Sequence, residues 1–221
     1  MTVVKESFVL FYSTNSIYSN FHPAEFTDQE VMKILPKSSV FHGQKNFQFS
    51  HVEQYMHAMK ALLFLDIPRL DKILSASNPK LTKQLGRLVE HFDDKVWTAT
   101  ARDIVTRGCF LKFSQNEKLC QQLQADGTSR QFVECAPRDQ RWGIGLRIKN
   151  PKCLKPKQWQ GQNWLGRCLD KVWKHLADGT EPKFQNLQLL HSTSQQHIST
   201  INTRSFSRIT SSIAITRSKK I

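Results

Sequence analysis

The chain has 221 residues, 39% of them hydrophobic and 23% charged, which allows one substantial core and is ordinary for a globular protein. Its five cysteines are odd in number, widely spaced and without a CxxC pair, which argues against a disulfide framework or zinc cluster and predicts reduced, intracellular thiols. No apolar stretch nears the ~20 residues of a membrane helix and Phe8–Tyr12 is too short for a signal peptide core, so a soluble cytoplasmic or nuclear protein without a membrane partner is expected. A formal net charge of +14 points to anionic partners such as nucleotides, sugar phosphates or nucleic acid. Residues 181–221 carry six basic residues against Glu181, a net +5, and leave +9 for residues 1–180.

In chain order, residues 8–49 read as short strands and turns. Phe8–Tyr12 is apolar and aromatic, Ser13–Ser16 breaks it, and Tyr18–Phe21 leads into Pro23. Around Gly43, Val40-Phe41 and Asn46–Phe49 are expected to pair as a hairpin. Ser19 and Asn20 offer polar groups for a ligand, or serve as turn formers.

From Val52 to Leu65 the period changes. Val52, Tyr55, Met56, Met59, Leu62 and Leu63 recur at helical spacing, predicting an amphipathic helix with one face in the core. On its other stripe, Glu53, His57 and Lys60 stand at i, i+4 and i+7, within reach of one ligand. The alternative is a capping box over Ser50–Glu53, which would leave Glu53 binding backbone and Glu53 with His57 as a surface pair.

Ile67–Ala76 is a second helix with Pro68 in its first turn, and Asn78-Pro79 caps a third that runs to Leu88 with Lys83 and Arg87 exposed. Asp93 or Asp94 caps a longer helix to about Phe113. Trp97 on it is either core or a stacking wall. Ser114–Glu117 is a further capping-box pattern opening a helix to about Ala125.

Phe132-Val133 then reads as the end of a short buried strand, followed by a loop from Glu134 to Gly145. Loops on a rigid scaffold carry much binding and catalysis. This one offers Asp139 as base or nucleophile, Arg138 and Arg141 for an anion, and Trp142 as a stacking face; the plain alternative is a solvated turn anchored by Trp142. Asn150–Gln158 holds two prolines and is a loop. Trp159–Gly166 opens a last helix through Leu176, where Gly161 and Asn163 suggest backbone donors at a helix start, or an N-cap. Beyond about Thr180 no periodic apolar face emerges, so residues 181–221 read as a basic, poorly ordered tail or an extension peculiar to a lineage. There is no GxxxxGK[ST], HExxH or post-strand GxGxxG motif.

Taken in this order, the pieces resemble the YbiA-like, or NADAR, family of N-glycosidases. The matching stretches are Phe11-Tyr12 with Ser19–Phe21, Val52–Lys60, Asn78-Pro79 with Leu85–Arg87, and Trp97 with Lys112–Asn116. Val133-Glu134, Arg138-Asp139 through Gly145, and Trp159–Gly166 complete them. The resemblance covers residue 8 to about 176. It departs at Glu53-Gln54, where Glu-His is usual, at Asp126-Gly127 for Thr-Gly, and at Trp164 for an aliphatic.

The resemblance implies an α+β, mainly helical single domain over residues 1–180 with a small antiparallel sheet or hairpin. It also implies hydrolysis of the bond between ribose C1′ and an amine or base nitrogen, with no metal and no cofactor. The substrate class is phosphoribosylamino-pyrimidine intermediates of riboflavin biosynthesis, with ADP-ribose on guanine of nucleic acid as the alternative and a non-catalytic module for NAD-derived ligands as another. Cleavage through an oxocarbenium-like state needs a carboxylate near C1′ and help for the leaving base. Glu53 and Asp139 are assigned to those tasks, Trp97 and Trp142 to stacking, and Arg87, Arg138 and Arg141 to phosphate. Asn20 and Asn163 are further substrate contacts. Lys60 either binds phosphate or attacks a ring-opened ribosylamine to form a Schiff base, which requires a lowered pKa.

Overall fold

The computed structural model describes residues 1–45 and 47–182. Three short strands, β1 (Thr2–Val4), β2 (Phe8–Phe11) and β3 (Gln131–Glu134), form one sheet in the order β1-β2-β3. β1 runs antiparallel to β2 with Val3 opposite Leu10, and β3 runs parallel to β2 with Phe11 opposite Glu134. The sheet is therefore mixed, not antiparallel as expected. A parallel pair needs a long crossover, and here six helices supply it.

These are α1 (Gln29–Ile34), α2 (Val52–Leu63), α3 (Ile67–Leu74), α4 (Pro79–Arg87), α5 (Asp94–Ser114) and α6 (Glu117–Gly127). After β3 come two 3₁₀ turns, Pro151–Leu154 and Pro156–Gln158, and then α7 (Trp164–Ala177). The fold is α+β and mainly helical. Among the described residues, no helix is long and apolar enough to cross a membrane.

α2 is the centre of the helical layer, packed against α3, α4 and α5. All of its residues are buried, Glu53, Gln54, His57 and Lys60 included. The expected exposed stripe is thus an interior one, and Glu53 with His57 is no surface pair. The helix start also differs from the expected box. His51 is the N-cap, its Nδ1 accepting from Gln54 N at 2.9 Å, while Gln54 Oε1 accepts from Ser50 N at 2.8 Å. Gln54 also donates to the carbonyls of Ile73, Leu74 and Ala76 at 3.0–3.2 Å, fastening α2 to the end of α3. Glu53 is released from capping.

The hairpin expected around Gly43 does not form: the described residues there make turns, and Phe49 bridges Phe26 instead. Burial decides this. Phe49 stacks with Phe26 at 5.6 Å and meets Tyr55 of α2 edge-on at 5.1 Å, contacts that a local hairpin would not provide. Asp28 caps α1 and also accepts from Arg107 of α5 at 2.6 and 2.9 Å and from the Tyr55 hydroxyl at 2.9 Å. At α4 and α5 the caps are Asn78 and Asp93, as the sequence suggests. At α6 the capping box fails because Ser114 is still the last residue of α5; Asn116 takes the N-cap position without a side-chain cap bond, its amide donating to Glu25 O and Lys112 O. The basic segment expected over 181–221 lies outside the described residues, save Glu181 and Pro182.

Candidate active site

Five parts of the chain meet around one pocket of about 170 Å³. The loop after β2 gives Ser19, Asn20 and Phe21; α2 gives Glu53, Met56 and His57; α4 gives Lys83 and Arg87. The β3 end and the following loop give Glu134, Asp139 and Trp142, with Leu165 of α7 closing the wall. An outer cleft of about 430 Å³ adjoins it, sharing Lys83, Arg87, Glu134 and Asp139 and adding Lys80 and Arg138.

Glu53 is fixed from two sides. Its backbone N–H donates to Asn20 O at 2.9 Å, which joins the first loop to α2, and its Oε1 accepts from His57 Nε2 at 3.1 Å. His57 Nδ1 is buried and has no hydrogen-bond partner among the described residues. The ring packs on Gly86, where any Cβ would collide with it. The tautomer follows, with the proton on Nε2 toward Glu53.

Asp139 closes its own loop: Oδ1 accepts from Arg141 N at 3.1 Å and Trp142 N at 2.8 Å. That turn sets Trp142 against the pocket, where it meets Trp164 edge-on at 5.6 Å. Gly143 and Gly161 allow the backbones of the loop and the α7 entry to touch, since a Cβ on Gly161 would strike the carbonyl of Gly143.

The carboxyl that sequence reasoning did not assign is Glu134. Its Oε2 is shut from solvent without a hydrogen-bond partner, and burial, followed by the charges of Asp139 and Glu53, pushes its pKa up to about 8 against a smaller pull from Lys83. The shift favours the protonated form. Strand alternation could not have marked it, since Phe132 and Val133 on opposite faces are both fully buried; the signal available was its place at the end of a short buried strand, opening the loop that carries Asp139.

Of the other expected groups, Asn20 and Arg87 line the pocket, whereas Arg138 lies outside it and lines the outer cleft. Lys60 does not line the pocket. Its Nζ donates to Gly86 O at 2.9 Å and lies 4.0 Å from the Phe92 ring. Burial lowers its pKa, the Arg141 charge adds to this and Asp94 opposes it. Trp97 is core, 5.8 Å from the same amine. Arg141 turns outward to a two-pronged pair with Asp94 at 2.9 and 3.3 Å. Asn163 sits in the left-handed region at φ 53°, fully buried, its Oδ1 accepting from Glu134 N and its Nδ2 donating to Phe132 O. It holds the strand that carries Glu134 and lines no part of the pocket. Lys112 plays a similar part opposite, donating to Ile17 O at 2.6 Å and Ser19 O at 3.1 Å. Among the described residues, no group of three or more His, Cys, Asp or Glu is placed to hold a metal ion.

A model of the NADAR domain matches residues 10–177. The chain belongs to the NADAR family. NADAR relatives include Protein irg-1 of Caenorhabditis elegans, 36% identical over 185 residues, covering 83% of this chain and 86% of that protein. N-glycosidase R617 of Acanthamoeba polyphaga mimivirus is 34% identical over 173 residues, covering 76% and 95%. The NMR structure of the E. coli protein YbiA has the same fold, with a TM-score of 0.58 at 22% identity over 80% of this chain and 89% of that one. The NADAR match takes in every residue of the pocket.

Proposed function

We propose that this protein is an N-glycosidase that hydrolyses the bond between a ribose C1′ and an amine or base nitrogen. The observation that carries the reading is one pocket lined by three carboxyl groups, of which Glu134 has a buried oxygen without a hydrogen-bond partner and a pKa pushed up to about 8. The name of the R617 relative supports the same class of bond.

Each group then has a task. Glu134 gives its proton to the departing nitrogen as the C1′–N bond breaks. Glu53, held by His57 Nε2 and by its link to Asn20, is fixed where it can stabilise positive charge at C1′. Asp139 is anchored through Oδ1 alone, and its second oxygen takes a proton from the attacking water. Water supplies the new C1′–OH, and exchange with solvent restores the two carboxyl groups. Trp142 offers a face to the base, and Lys83 and Arg87 offer charge to a phosphate. A binding module has no use for a buried, unpartnered carboxyl beside two others in one pocket.

The substrate class we favour is a phosphoribosylamino-pyrimidine of riboflavin biosynthesis, whose single phosphate suits the Lys83 and Arg87 wall. The second reading, release of ADP-ribose from guanine, is favoured by the outer cleft, where Arg138 and Lys80 would meet a further phosphate. Mass spectrometry of purified protein with each substrate in ¹⁸O-water separates them. The product of a true substrate carries the label at C1′, and absence of labelled product from both overturns the N-glycosidase assignment.

A further inference from the structure

We infer that Lys80, Lys83, Arg138, Arg147 and Lys149, with Tyr12 at their centre, form a docking trough for single-stranded nucleic acid. The outer cleft of about 430 Å³ continues into a second cavity of about 490 Å³, with Tyr12, Pro137 and Arg138 common to both. That one continues into a third of about 600 Å³ through Pro137, Arg147 and Lys149. No acidic residue lines the second or third cavity, and the acids of the first are Glu134 and Asp139 at its inner end.

Exposed ion pairs are worth little, so a solvated cation needs no partner; what marks this face is a concentration of positive charge that no nearby acid offsets. Here none of the five cations forms an ion pair among the described residues. They come from two separate parts of the chain, α4 and the segment after β3, and converge on one concavity. Tyr12 is 42% exposed, a large aromatic left uncovered where the first two cavities meet. A positively charged groove with an open aromatic platform binds a strand by tracking phosphates and stacking a base. A duplex keeps its bases stacked out of reach, and an acidic polypeptide offers Tyr12 no base to stack. That a bound strand would bring a nucleoside C1′–N bond to Glu134 rests on the N-glycosidase reading; the binding itself does not.

The test uses the full chain and a fluorescein-labelled oligothymidylate of about 20 nucleotides, longer than the roughly 4–16 that a comparable groove covers, with anisotropy read at several salt concentrations. The double variant R147E/K149E should weaken binding by tenfold or more and flatten the slope of log K against log salt by about 1.4, at about 0.7 per lost phosphate contact. Its melting temperature and its turnover of a small ribosyl-N substrate should stay at the wild-type level. Tyr12→Ala should weaken binding by about fivefold or more. Unchanged binding by the double variant overturns the trough, because another face then holds the strand. So does displacement by polyglutamate at equal charge together with no effect of Tyr12→Ala, which marks a surface for any polyanion. Turnover without oligonucleotide binding rejects the trough alone, and trough-dependent binding without turnover rejects the N-glycosidase reading alone.

Discussion

Glu53 on α2 and Glu134 at the end of β3 are the same residue type facing the same pocket, yet their surroundings differ. Glu53 stands in a helix with its carboxylate against an imidazole N–H, while Glu134 has a buried oxygen that nothing meets. The helix supplies a partner one turn along the same element. The strand end supplies none, and the nearby negative charges favour the proton. In the proposed mechanism one residue type serves two tasks because it stands on two kinds of element.

The comparison breaks most directly at Glu134. Glu134→Gln keeps the shape but has no acidic proton to give, so turnover should fall by about 10²–10⁴. The wild-type rate should fall as pH rises through about 8, and the variant should lack that limb. Stability gives an independent check. The unfolded chain releases this proton near its ordinary value of 4.5 and the folded chain only near 8, so stability contributed by the protonated group is full below 4.5 and is lost as pH rises through 8. Glu134→Gln should therefore melt no lower than wild type at pH 8, and a markedly lower melting temperature there would contradict the buried, partnerless carboxyl.

Neighbouring residues on α2 sharpen the contrast from the other side. Glu53→Gln still accepts from His57 but carries no charge, so turnover should drop by about 10² or more with little change in thermal melting. Gln54→Leu should do the reverse, costing about 1–3 kcal/mol by stranding three carbonyls of the α3 end, measured by denaturant unfolding, with turnover per folded molecule retained. Gly86→Ala comes next. Its methyl group meets the His57 ring, so the imidazole must move away from Glu53, and turnover should fall by more than the melting temperature suggests. The smallest effect belongs to Arg141→Ala: with its guanidinium turned to an exposed Asp94, KM should stay within about twofold, as expected for a surface pair of small worth.

The sequence made much of this site legible, and where it did not, the reason lies in contacts between distant segments. Helical spacing put Glu53 and His57 on one stripe and turn chemistry put Asp139 and Trp142 in one loop; both are local signals. The stripe did not reveal that Lys60 would be drawn away by the carbonyl of Gly86 on another helix, nor that Trp97 would pack as core beside it. The capping box was misread by one residue because His51, an uncommon cap, takes the N-cap position and passes the reciprocal bond to Gln54. Asn163 looks like a ligand donor in sequence, and only the adjacency of β3 shows it bracing a strand. Glu134 was visible as a residue but not as an acid, because its raised pKa depends first on burial and then on charges that the chain brings together from positions 139 and 53. The sheet was expected to be antiparallel for a like reason: nothing near Phe11 announces a parallel partner at residue 131.

That parallel pairing governs the order in which the protein is made. β2 leaves the ribosome early and β3 only after all six intervening helices, and the bonds that bind them, such as Cys135 N to Phe11 O at 2.8 Å, wait for both. Glu53 and His57 stand together as soon as α2 has formed, but Glu134 reaches them only when the chain has closed over more than a hundred residues, a slow, high-contact-order event. A nascent chain released before α7 would carry the helix's half of the site without Asn163 to hold the other. In the proposed mechanism the site is therefore completed only once β3 and α7 have both been made, and α7 is also a packing partner of α5 and α6.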